Sequence, residues 1–108
     1  MYCRSCRKWF PNNILFCDIC GKPLVKDLDI YGENFFNGDV QAFDYIYQNS
    51  YNWVAGEVRK MFSANSSEVE DCVQEIYLLL YRKIKYYDPR QGSFSAWFNA
   101  LVRNRIYD

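Results

Sequence analysis

Two cysteine pairs, Cys3-x-x-Cys6 and Cys17-x-x-Cys20, stand ten residues apart at the start of the chain, and no other feature constrains its fold as much. Each pair can present two thiolates from one tight turn, and two such knuckles supply the four soft ligands of a tetrahedral zinc ion. Gly21 follows the second pair directly. A residue without Cβ there lets backbone amides turn toward a thiolate. The chain has no histidine, so the ligand set is all-cysteine: Cys3, Cys6, Cys17 and Cys20 around one structural Zn2+. A redox dithiol pair or an iron site is the competing reading. Residues 1–24 are too few to bury a core, so a metal would supply this ribbon's folding energy.

Composition changes near residue 24. The cysteines, Pro11, Gly21 and Pro23 give way to long amphipathic stretches with few breakers. We read residues 1–24 as a ribbon and residues 27–108 as a helical domain. Half of the 108 residues are apolar and 19% are aromatic, enough for a real core. Formal charge sums to zero but is unevenly placed: cations dominate residues 1–26 and 82–108, acids residues 27–81. That asymmetry points to different surfaces for different partners, although ordinary surface charge explains it about as well. The longest apolar run, Ile76–Tyr81, is far short of the roughly 18 residues a membrane helix needs. Cys3 stands where a secretory signal would need an apolar stretch. The expected setting is cytoplasmic and reducing, without membrane contact, where cysteine pairs mean metal more often than disulfide.

Within the helical domain, residues 27–36 suit a short helix. Asn37-Gly38 is a turn, and Asp39 can cap a helix through Tyr47 or beyond. A second stretch runs from Tyr51 to Phe62, and residues 63–66 read as a loop. Ser67-x-x-Glu70 has the form of a capping box, opening a helix that continues to about Tyr86 and stops before Asp88-Pro89. Advancing about 100° per residue places Val69, Val73, Ile76, Leu80 and Ile84 on one face, flanked by Cys72 and Tyr77. Cys72 is thus a buried, inert thiol. Leu78 falls on the opposite face among Asp71, Gln74, Arg82 and Lys85, where it suggests a partner, although single exposed leucines are common. Ser93 can cap a last helix, Phe94 to Asp108, with Phe94, Trp97, Phe98 and Leu101 on one side. By spacing these four are mainly core.

Three motifs then carry a resemblance. Gly38-Asp39-Val40-Gln41-Ala42-Phe43, the run from Glu70-Asp71 through Gln74-Glu75 to Tyr77, and Phe94-x-x-Trp97-Phe98 followed by Arg103-Asn104 and Asp108 occur in order. Residues 38–108 resemble the second conserved region of extracytoplasmic-function sigma factors. The resemblance implies an all-α fold, a three-to-four-helix region 2 domain preceded here by a small zinc ribbon that the family pattern lacks. It implies docking of the long helix on the clamp coiled coil of RNA polymerase core through Asp71, Gln74, Glu75, Leu78 and Arg82. It further implies capture of the non-template single strand of the minus-ten promoter element by the loop from Tyr87 to Phe94 and the helix after it. Tyr87 and Asn104 match the family's base-pocket positions. Tyr86, Phe94 and Trp97 would add apolar walls, and Arg82, Lys83, Lys85, Arg90 and Arg103 would hold phosphates. An anti-sigma factor is a further candidate partner. The family's helix-turn-helix domain has no counterpart before Asp108, so these residues alone are not expected to support initiation.

The competing reading is a sigma-like adaptor that docks on polymerase without reading DNA. An enzyme is not expected, since the chain lacks histidine and a glycine-rich phosphate loop, and a four-cysteine site leaves zinc no open position.

Overall fold

A computed structural model describes residues 1–62 and 66–107. The N-terminal ribbon opens with strands β1, Tyr2–Cys3, and β2, Lys8–Trp9, paired antiparallel with Tyr2 opposite Trp9 and Cys3 opposite Lys8. Gly21, at φ +74°, takes the left-handed turn after the second knuckle, which glycine adopts without strain. Cys3, Cys17 and Leu24 are buried together, with Phe10 and Ile14 against them.

Four helices follow: α1, Asp27–Phe36; α2, Ala42–Phe62; α3, Ser66–Lys83; and α4, Phe94–Tyr107. The short first helix, the Asn37-Gly38 turn and the last helix stand where the sequence puts them, and the fold is all-α apart from the small ribbon sheet. Asp39 accepts a hydrogen bond from the Gln41 amide at 3.1 Å, a local turn that feeds α2.

Sequence reasoning splits α2 in two; the structure has one continuous helix. Ala42, Ile46, Ser50, Val54 and Val58 form a stripe at intervals of four, and all are buried. Ser50, between the two expected stretches, is the polar member of this stripe. Its Oγ donates to the Ile46 carbonyl and lies 2.6 Å from the Tyr77 hydroxyl, so burying it leaves nothing unsatisfied. Burial pushes the Tyr77 hydroxyl up to about 12, so it stays neutral.

The start of α3 is also corrected. The helix begins at Ser66, which the sequence assigns to the loop, and Ser67 stands inside its first turn. The rest of that loop, residues 63–65, lies outside the described residues, as does Asp108. Glu70 accepts hydrogen bonds from Tyr51 Oη at 2.7 Å and Gln74 Nε2 at 3.2 Å. At its far end α3 tightens into a single 3-10 turn, Ile84–Tyr86, before the loop to α4. Ser93 Oγ accepts the Ala96 amide at 3.2 Å and caps α4.

The helical phase of α3 holds. Val69, Cys72, Val73, Ile76, Tyr77 and Leu80 pack with Ile46, Val54 and Val58 of α2 and Phe98, Val102 and Ile106 of α4. Burial raises the Cys72 thiol above its usual range, as suits an inert side chain.

The ribbon rests on α1. Arg4 pairs with Glu33, Nη1 to Oε2 at 2.8 Å. Trp9 packs between Tyr2 and Tyr31, and Tyr31 stacks on Tyr45 of α2 with centroids 3.7 Å apart. On its other side α1 faces α4. Gly32 lies so close to the Phe94 ring that a Cβ there would sit 2.0 Å from it. Asp29, also buried, accepts both the amide and the hydroxyl of Ser95, at 2.7 and 2.6 Å. Among the described residues no helix is long and apolar enough to cross a membrane.

Candidate functional site

The four cysteine Sγ atoms all lie within 4.8 Å of one another. The close approaches run between knuckles, Cys3 to Cys20 at 3.6 Å and Cys6 to Cys17 at 3.7 Å. A disulfide needs about 2.05 Å, whereas ligands at about 2.3 Å around a tetrahedral zinc stand about 3.8 Å apart. Backbone amides aim at the sulfurs: Cys6 N to Cys3 Sγ at 3.3 Å and Ile19 N to Cys17 Sγ at 3.4 Å. Such donors stabilise thiolate. The Cys17 thiol is lowered to about 7, first by the Cys20 amide and, against an opposing burial effect, by that of Ile19.

Where α3 ends in the 3-10 turn, two adjacent tyrosines differ sharply in exposure. Tyr86 is 70% exposed and Tyr87 only 3%. The Tyr87 hydroxyl donates to the Gly92 carbonyl at 3.0 Å, and its ring meets Phe36 and Phe94 edge to face. Tyr87 is therefore buried, and it reaches the wall of the loop groove rather than standing in the open. Phe94, also expected to touch DNA, is fully buried against Gly32 and Phe98 and belongs to the core.

Exposed Tyr86 and half-buried Trp97 remain, and they share two grooves. One, about 400 Å³, is lined by Lys83, Tyr86, Trp97, Ala100, Leu101 and Asn104. The other, about 310 Å³, runs along the loop past Gly92, Ser93 and Ala96. Lys85 Nζ lies 5.3 Å from the Tyr86 ring centroid. An aromatic pair beside an amide and lysines can stack a base, read its edge and hold its phosphate.

Two predicted cations stand apart from this constellation. Arg90 is exposed but pairs with Asp88, Nε to Oδ1 at 3.2 Å. Arg103 lies across α4 in a groove of about 570 Å³ with Lys26, Trp53 and Asn99. Sequence reasoning did not single out Lys26 or Trp53; an aromatic beside the core stripe of α2 was the only signal.

The outward face of α3 carries Asp71, Gln74, Glu75, Leu78 and Arg82, all exposed. Leu78, 55% exposed, is not isolated. With Phe43, Tyr47, Tyr77 and Tyr81 it lines an apolar groove of about 360 Å³ between α2 and α3. Gln74 Nε2 donates to Tyr47 Oη at 3.2 Å at its edge. Phe43 and Tyr47 were missed because a helical wheel of α3 cannot show what α2 adds. Glu75 is held in an ion pair by Arg105 of α4, which lowers the Glu75 carboxyl below its ordinary range.

Residues 46–108, more than half of the chain, match the family Sigma-70 region 2. The chain belongs to that family. Sigma-70 region 2 here takes in most of α2 and all of α3 and α4, hence both the tyrosine-tryptophan grooves and most of the α3 face. Members are non-enzymatic transcription initiation factors. The ribbon and α1 lie outside the match.

Among curated relatives, the ECF RNA polymerase sigma factor SigK of Mycobacterium sp. (strain KMS) is 33% identical over 85 residues, 79% of this chain and 44% of its own. SigK of Mycobacterium tuberculosis (strain CDC 1551 / Oshkosh) is 29% identical over the same length, 45% of its own. The ECF RNA polymerase sigma factor RpoE of Cereibacter sphaeroides is 30% identical over 70 residues, 65% of this chain and 38% of its own. The chain thus spans less than half the length of these relatives. No solved structure matches.

Proposed function

We propose that this chain is the core-binding and promoter-reading module of an extracytoplasmic-function sigma factor. Its α3 face docks on the clamp coiled coil of RNA polymerase core, and Tyr86, Trp97 and Asn104 capture the non-template strand of the minus-ten element. The observation that carries this reading is the single groove lined by Lys83, Tyr86, Trp97 and Asn104. Lys85 and, farther out, Arg90 and Arg103 position the backbone. The ribbon holds one structural Zn2+ through Cys3, Cys6, Cys17 and Cys20, as the inter-sulfur distances support. The protein works in the cytoplasm, and an anti-sigma factor would compete for the groove around Leu78.

The test is titration of single-stranded promoter-like oligonucleotides, varied one base at a time, against the chain bound to polymerase core at two salt concentrations. Stacking on an aromatic contributes roughly 1–3 kcal/mol per base, so Tyr86→Ala should weaken all strands by that amount. Asn104→Ala should mainly flatten the preference at one position, and Lys83→Ala should lower affinity uniformly and reduce its salt dependence. If none of the three changes binding, the adaptor reading replaces this one. The burial of Tyr87 and the pairing of Arg90 with Asp88 are what favour that alternative.

Docking has its own test. Replacing Asp71 and Leu78 together by alanine should weaken binding to polymerase core while changing stability by no more than about 0.5 kcal/mol, as for exposed positions. Unchanged core affinity would move the interface off this face.

A further inference from the structure

The first turn of α4 is held twice. Ser93 caps it from its own segment, through the bond from the Ala96 amide to Oγ at 3.2 Å. That bond satisfies one of the amide donors that a helix start leaves open. Asp29, 66 residues away on α1, adds a second hold: one oxygen, Oδ1, accepts the Ser95 amide at 2.7 Å and the Ser95 hydroxyl at 2.6 Å. Burying a carboxylate is costly unless donors meet it, and here both donors come from Ser95 of α4, so the bond ties α4 to α1. What a distant acceptor adds is position: it fixes where α4 begins, and at what rotation, relative to α1.

A contact beside it has the same effect. Gly32 lets the α1 backbone close on the Phe94 ring so tightly that no Cβ fits between them, a second point where α4 is seated on α1. The turn held this way contributes Ser93, Ala96 and Trp97 to the loop groove, and Asn104 follows on the same helix. A base pocket of this kind discriminates only if its walls are held to a fraction of an ångström.

We infer that Asp29 is a positioning residue for strand capture, setting the register of α4 so that Trp97 and Asn104 face Tyr86 across one groove. The inference rests on the strand-capture reading of that groove. It assigns a role to α1, which the family match does not cover. Asp29 touches no strand itself; it acts through Ser95.

Three variants of the full chain test it: Asp29→Ala, Asp29→Asn and Ser95→Ala. Each is bound to polymerase core and titrated with the oligonucleotide series used above. Asp29→Ala should reduce base preference about tenfold, the equivalent of losing one charge-assisted hydrogen bond, while core affinity, carried by α3, stays unchanged. Asp29→Asn keeps an acceptor oxygen and should restore the preference. Ser95→Ala keeps the amide donor and the local cap, so it folds, and it should show an intermediate loss.

If Asp29→Ala only lowers Tm and its folded fraction discriminates bases like the parent, Asp29 is a structural brace and the inference is overturned. Should Asp29→Ala fail to fold, Ser95→Ala decides alone: parental preference in that variant overturns the inference. Failure of the underlying reading looks different, because the unmutated chain would then show no base preference to lose.

Discussion

Phe94→Ala should cost the fold about 3–5 kcal/mol, the usual effect of emptying a fully buried aromatic site. For a domain of this size that lowers Tm by about 10 °C or more. The ring touches Tyr87, Trp97 and Phe98 on its own side and the Gly32 backbone on the other, so little can collapse into the space. Gly32→Ala approaches the same contact from α1. Alanine normally gains about 1 kcal/mol over glycine inside a helix, but overpacking here costs about 1–3 kcal/mol, and the net sign should be destabilising. Gly56→Ala in α2, where a Cβ meets nothing within 4 Å, should show the ordinary gain. Thermal melts of the three variants check this. An unchanged Tm for Phe94→Ala, with weaker strand binding, would return Phe94 to the DNA interface.

Cys17→Ser should strip the metal. Elemental analysis should fall from one zinc per chain to none. The ribbon should lose its fold with it, since apparent zinc binding of about 10–16 kcal/mol is folding energy in so small a module. Chelation should leave most of the helical circular-dichroism signal, because the core of α2, α3 and α4 contains none of the four cysteines. Amide exchange should quicken in α1, whose outer side is braced by Arg4 and Trp9. A metal-free chain with a protected, folded ribbon would remove the zinc assignment.

How far the fold was legible depends on where each residue's partner lies. The phase of α3 could be read from the 3.6-residue period alone, and so could the exposure of Leu78, because a regular helix fixes both. The cap at Ser93 needed only neighbours. The continuity of α2 did not follow from neighbours: Ser50 is tolerated because Tyr77, 27 residues on, meets it. The exposures of Tyr86 and Tyr87 follow from the helical period: advancing about 100° per residue from Val69 returns Tyr87 to the core stripe and leaves Tyr86 about 100° off it, as the structure has them, whereas the base-pocket role of Tyr87 came only from the resemblance. The spacing of Phe94, Trp97, Phe98 and Leu101 already marks Phe94 as core; what the sequence does not show is that Gly32, on α1, makes room for its ring. In the proposed strand groove, Asn104 came from the resemblance, and its seven-residue spacing from Trp97 puts the two on one side of α4. Asp29 could not be found this way, because an acidic residue early in a helix is ordinary.

The ring column Tyr2–Trp9–Tyr31–Tyr45 crosses from the ribbon through α1 into α2. Composition breaks near residue 24, yet the column does not. Transplanting the ribbon onto another helical domain would carry over Tyr2 and Trp9 but leave their docking surface behind, unless the host had flat rings where Tyr31 and Tyr45 stand. A ribbon moved without them would bind its metal and hang loose. Substitutions at these four positions should therefore be inherited as a set, and the ribbon should travel through evolution together with the first two helices rather than as a detachable cassette.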